Sequence, residues 1–148
     1  MFRGVQVVVS GMALTMCVLA GARVAHAQEP EKPVLPLEGD AVVITMLIKA
    51  DKTADFESVV AKYRESFQKN ETKPVRKQQL GGIKFFKSPQ MAQGNAVYII
   101  YVDPVIPNEE YDISRVIAEV FPVEVQEIFE KYKGAFAGRA ITSLKKVP

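Results

Sequence analysis

The 148-residue sequence has no Trp, one Cys and one His, and its 19 Lys and Arg are nearly balanced by 17 Asp and Glu, a formal net charge of +2 at pH 7. Each scarcity removes a class of protein. One Cys cannot build an intramolecular disulfide scaffold. A near-neutral balance leaves no basic surplus for a nucleic-acid partner. With 48% hydrophobic residues and only nine Gly and nine Pro, the chain is neither collagen-like nor too polar to bury a core.

The rare residues fall at one end. Met1 to Ala27 has a basic start at Arg3, a mostly apolar run from Val5 to Ala20, and a small-x-small site at Ala25-His26-Ala27 before Gln28. That is the pattern of a secretory signal peptide, and it predicts an exported chain, periplasmic or secreted. The apolar run includes Ser10, Gly11 and Thr15 and is shorter than the roughly 18–20 residues of a membrane span. No stable span is therefore expected once the signal is removed, although retention as an anchor is the competing outcome. A lipid anchor on Cys17 would need a small residue where Met16 stands.

Cleavage after Ala27 removes Arg3, Arg23, Cys17 and His26 and no acidic residue, so 17 basic residues then face 17 acidic ones and the formal net charge is 0. The remaining chain has no thiolate chemistry, no Ser-His-Asp or Cys-His arrangement, and no His for proton transfer near neutral pH or for haem ligation. Zinc sites built on Cys or His go with them. No catalytic residue, metal or cofactor is predicted. Stability in an oxidising compartment must come from packing, which about 120 residues can supply.

Behind the signal, Gln28 to Gly39 places Pro30, Pro33 and Pro36 three apart, and predicts a tether or an arm along a domain edge. Residues 40–148 are expected to form one domain. Ala41 to Ala50 reads as a strand, with Val42, Ile44, Met46 and Ile48 on one side and Val43, Thr45, Leu47 and Lys49 on the other. Thr53 is the expected cap of a helix over about Ala54 to Asn70, whose stripe is Phe56, Val59, Val60, Tyr63 and Phe67. Glu71 to Lys77 reads as a connection, Gln78 to Lys87 as a second strand weakened at Gly81-Gly82, and Ser88 to Asn95 as a turn. Ala96 to Val102 is a third strand. Asp112 can cap a helix whose stripe runs Ile113, Ile117, Phe121, Val125, Ile128 and Tyr132, kinked or divided at Pro122. Arg139 to Val147 is the last strand.

The order β-α-β-β-α-β predicts an α+β, ferredoxin-like domain, a four-stranded antiparallel sheet with helices on one face. Both sides of the first and third strands are apolar, where a half-exposed strand should alternate. The expected cover for the second face is another copy of the chain, a homodimer. In this element order, and in the two-faced strands AVVITMLIKA and AVYIIYV, the chain resembles the dimeric α/β-barrel superfamily, which includes antibiotic-biosynthesis-monooxygenase-like proteins. The resemblance spans about Gly39 to Val147 and implies paired sheets with a pocket between sheet and helices. It also implies, as the alternative to a non-catalytic binding domain, a cofactor-independent monooxygenase-like enzyme acting on small aromatic compounds. Haem degradation in that superfamily uses His, Asn and Trp, and the exported chain has neither His nor Trp.

The residues expected to contact a small apolar or anionic ligand are Thr45, Lys49, Arg76, Lys84, Tyr98 and Tyr101, with strand parity deciding which share a face. Charge is also segregated. Eight basic residues between Lys62 and Lys87 meet two acids, and eight acids between Asp103 and Glu130 meet one Arg. That pattern fits an anion-attracting rim at Arg76 and Lys77, steering between subunits, or two solvated faces that neighbour each other in one subunit. Glu109, Glu110 and Asp112 lack the spacing of a calcium loop and read as loop and cap. Asn70-Glu71-Thr72 matches a glycosylation sequon.

Overall fold

The computed structural model describes residues 31–148, and the predicted signal peptide lies outside them. Strand β1 (Ala41–Lys49) leads through a single 3₁₀ turn into helix α1 (Thr53–Lys69). A short helix α2 (Val75–Gly82) follows, then strands β2 (Ile83–Ala92) and β3 (Asn95–Val102), helices α3 (Ile113–Val120) and α4 (Val125–Ala135), and strand β4 (Phe136–Leu144). The class is α+β. The four strands form one antiparallel sheet in the order β2-β3-β1-β4.

Alternation along the strands divides the sheet into two unlike faces. Val42, Ile44, Met46 and Ile48 of β1 and Ala96, Tyr98, Ile100 and Val102 of β3 are all buried. Helix α1 lies on this face, where Phe56 meets Tyr98 edge-on at 4.8 Å and Tyr63 meets Phe85 at 6.2 Å. Ile113, Val116 and Ile117 of α3 and the partly buried Val125, Ile128 and Tyr132 of α4 complete the same core. The stripe expected across Pro122 is therefore real, and the proline divides it into two helices, because it brings no amide hydrogen to a helix interior. Asp112 caps α3 as expected, its Oδ1 accepting from the Arg115 amide at 3.0 Å. Asp112→Ala should lower stability by about 1 kcal/mol, measured by urea unfolding.

Three local expectations are corrected. Thr53 is the first residue of α1 and makes no capping hydrogen bond, since the 3₁₀ turn Ala50–Lys52 already directs the chain into the helix. The segment read as a connection and the start of a strand is helix α2. Pro74 opens it where a missing amide hydrogen costs nothing, and Arg76 and Gln79 face inward three residues apart. Gly82 ends α2 instead of bulging a strand: a Cβ there would stand 3.0 Å from the Pro104 carbonyl oxygen and 3.1 Å from that of Asp103. The turn of the β2–β3 hairpin is only Gln93-Gly94, both at positive φ (53° and 76°), the two-residue geometry that suits strand twist. Strand β2 runs on to Ala92, into the segment expected as a turn, because its irregular register between Lys87 and Met91 accommodates Pro89 on an edge.

The proline-rich segment, from Glu31 onward, is an arm held on the domain. Leu37 is buried in the core, and the Val34 and Leu35 amides donate to the Glu110 carboxylate at 2.6 and 2.9 Å.

Candidate functional site

The six expected ligand residues separate into three places, because strand parity and one buried helix divide them. Thr45, Lys84 and Tyr101 share the sheet face opposite the helices. Register places Lys84, Tyr101, Val43 and Thr142 in one cross-strand row and Phe86, Ile99, Thr45 and Ala140 in the next. A third row joins Val97, Leu47 and Gly138. No helix packs here: Val43, Thr45, Leu47, Val97, Ile99 and Tyr101 are half-buried, and Phe86 is 52% exposed. The Tyr101 hydroxyl donates to Asp103 Oδ2 at 3.0 Å, and this bond raises the Tyr101 pKa. Lys49 has the same parity at the sheet's end, where its Nζ donates to the Gly134 carbonyl oxygen at 2.9 Å, in the last turn of α4.

Arg76 is in the second place, and it is a structural residue. It is 1% exposed, and every nitrogen of its guanidinium is committed. Nε and Nη2 donate to the two Glu119 oxygens at 2.8 and 2.7 Å. Nη1 donates to Gln79 Oε1 at 2.6 Å and to Glu109 Oε2 and the Glu110 carbonyl oxygen at 3.2 Å. At 1% exposure and with two carboxylates already against it, the guanidinium is closed to an anionic ligand. Together with Lys73–Glu119 at 2.7 Å and Lys62–Glu124 at 3.1 Å, these contacts pair the basic and acidic segments within one chain. The sequon is absorbed as well: Asn70 is 2% exposed and its Nδ2 donates to Glu119 Oε2 at 2.8 Å, so the fold has no room for a glycan there.

Tyr98 is in the third place, a recess of about 220 Å³ between α1 and the outer strands. The side chains that wall it are Phe56, Val60, Phe85 and Ile100. At its mouth the Tyr98 hydroxyl donates to Glu57 Oε1 at 2.6 Å, and Lys87 Nζ donates to the same oxygen at 2.8 Å. The Lys87 hydrogen bond, then that of Tyr98, lowers the Glu57 pKa, and the Glu57 hydrogen bond raises that of Lys87. Burial, then the bond to Glu57, raises the Tyr98 pKa. At neutral pH the cluster is a carboxylate, an ammonium and a neutral phenol, with no net charge. Glu57 and Lys87 were not singled out from the sequence, where they look like ordinary helix and strand surface charges 30 residues apart. Elsewhere, the space between sheet and helices near Tyr63, Tyr111 and Arg139 is closed down to about 20 Å³, room for one water.

Among the described residues, no group of three or more His, Cys, Asp or Glu is placed to hold a metal ion, and no helix is long and apolar enough to cross a membrane. The chain matches no protein-family profile, and comparison with curated proteins and with solved structures finds no match either.

Three carboxylates give the fold a defined acid sensitivity. Burial alone would raise the pKa values of Glu119 and Glu110. The Arg76 and Lys73 bonds overcome this for Glu119, and backbone amides overcome it for Glu110, so both end lowered, like that of Glu57. A carboxylate whose folded pKa is lowered stabilises the fold above its unfolded value, about 4.3, and that contribution disappears as pH falls through the folded value. The melting temperature should therefore hold between pH 7 and 5 and fall below about pH 4. A circular-dichroism series that stays flat down to pH 2 would contradict these pairings.

Proposed function

We propose that the chain is an exported, ferredoxin-like homodimer that binds a small ligand or a partner and performs no covalent catalysis, with the sheet face opposite the helices as its interface. The observation that carries this reading is the apolar group Val43, Leu47, Phe86, Val97 and Ile99 on that face, with no helix over it. Strand spacing and rise give the whole sheet face, polar positions included, a projected area of about 500 Å². Side chains standing off the sheet add accessible area toward the roughly 800 Å² per partner of a standard interface. Support for the ferredoxin-like arrangement comes from the strand order read from the other edge, β4-β1-β3-β2, with antiparallel neighbours throughout. Pairing of sheets is also what the resemblance to dimeric α/β-barrel proteins implies. Export rests on the pattern in residues 1–27.

Light scattering on the chain beginning at Gln28 should give twice the monomer mass at micromolar concentration. Ile99→Glu places a charge in the central row and should give a monomer with unchanged helical circular dichroism. A monomeric parent protein at that concentration would overturn the proposal.

A further inference from the structure

We infer that the recess closed by Glu57, Lys87 and Tyr98 binds a neutral single-ring molecule carrying one hydroxyl group, a simple phenol. This deepens the ligand-binding reading above and does not depend on the pairing of sheets, since the side chains that form the recess, from Phe56, Val60, Phe85, Tyr98 and Ile100, are on the helix-covered face.

Size comes first. Drug-sized ligands occupy pockets of roughly 300–1,000 Å³, whereas a dry apolar cavity of about 150 Å³ holds benzene. A recess of about 220 Å³ therefore has room for one ring with a small substituent. The walls favour an aromatic ring: Phe56, Phe85 and Tyr98 offer faces and edges, and Val60 and Ile100 fill between them.

Polarity at the mouth then selects the substituent. Tyr98 and Lys87 both use Glu57 Oε1, and Glu57 Oε2 accepts no hydrogen bond among the described residues. The Tyr98 oxygen has donated its only proton and keeps its capacity to accept. Lys87 has two further ammonium hydrogens. A hydroxyl answers two of them at once: it donates to the free carboxylate oxygen, a charge-assisted bond, and accepts from the ammonium. A carboxylate on the ring would meet Glu57 with like charge. An ammonium on the ring would meet the Lys87 ammonium with like charge. A bare hydrocarbon would fill the walls and leave the polar mouth unanswered.

The test follows methyl and amide resonances of the chain from Gln28 onward during titration with p-cresol, toluene and p-toluate. The expected result is saturable shifts confined to Val60, Ile100 and their neighbours, with p-cresol binding at least tenfold more tightly than toluene, the ratio implied by one hydrogen bond to a charged group. Binding of p-toluate should be weaker than either. Glu57→Ala, at a half-exposed position, should reduce p-cresol to the affinity of toluene, and Val60→Trp should fill the recess and abolish both without lowering the melting temperature. No saturable shift for p-cresol, equal affinity for p-cresol and toluene, or p-cresol binding undiminished in Glu57→Ala would each overturn the inference. Should Val60→Trp fail to fold, the Glu57→Ala comparison alone decides. Light scattering on the same samples reports the oligomeric state separately, so a monomer that binds p-cresol and a dimer that does not are distinct outcomes.

Discussion

Arg76→Ala should lower the unfolding free energy by about 3–5 kcal/mol, the cost of leaving buried partners of a removed charge uncompensated. Against the 5–15 kcal/mol of a typical domain, that is enough to leave the chain largely unfolded at 37 °C if its stability lies near the lower end. The loss does not come from attraction alone. Glu119 accepts from Asn70, Lys73 and Arg76, and without Arg76 its carboxylate keeps only the other two. Gln79 loses its 2.6 Å donor, and the loop at Glu109-Glu110 loses two more contacts. Arg76→Lys should recover little, because one ammonium on a flexible stem cannot reach acceptors arranged around a planar fork. The double change Arg76→Met with Glu119→Leu should cost much less than Arg76→Ala, since replacing both charges removes the desolvation they required. Urea unfolding of the four proteins gives the comparison. A loss below 1 kcal/mol for Arg76→Ala would show that the network does not hold α2 and α3 together.

That network also marks where the sequence stops being legible. Strands β1 and β3 declare themselves as short runs rich in β-branched and aromatic residues, and helix α1 through an apolar residue every three to four, all of them local signals. The Asp112 cap and the break at Pro122 are equally local. Arg76 is not. Its partners Glu109 and Glu119 lie 33 and 43 residues away, so an inward-facing arginine in a basic run looks the same as a surface one. Helix α2 was hidden for a related reason: eight residues give two turns, too few for an apolar stripe, and its buried face is polar. The recess needs Glu57 from α1, Lys87 from an edge strand and Tyr98 from an inner one, and only sheet register shows that Lys87 and Tyr98 stand opposite each other. Of the six ligand residues expected from the sequence, parity alone separates Tyr98 from Tyr101, and a one-residue uncertainty in register was enough to merge them.

Glu110→Ala should cost about 2–4 kcal/mol, through the backbone and without touching a hydrophobic side chain. Glu110 Oε1 accepts from the Leu35, Tyr111 and Asp112 amides at 2.9, 3.0 and 2.8 Å, and Oε2 accepts from Val34 at 2.6 Å. Hydrogen bonds to a charged acceptor contribute roughly 1.5–3 kcal/mol each, but these four do not add. Val34 is exposed and can turn to water, and the Tyr111 amide also reaches the Leu35 carbonyl oxygen at 3.2 Å. Loss of the carboxylate frees the arm from the loop that leads into α3, so hydrogen exchange at Leu35 should accelerate while exchange in β1 follows only the global change. Buried Leu37 still anchors the arm, which keeps the variant folded. The pH dependence supplies an independent check. Because the folded pKa of Glu110 lies below its usual value, the wild type has this stabilisation at neutral pH and loses it as pH falls below about 4. The stability gap between wild type and Glu110→Ala should therefore be widest at pH 7 and close toward pH 2. A gap that stays constant over that range would mean the side chain acts by packing and not as an ionised acceptor.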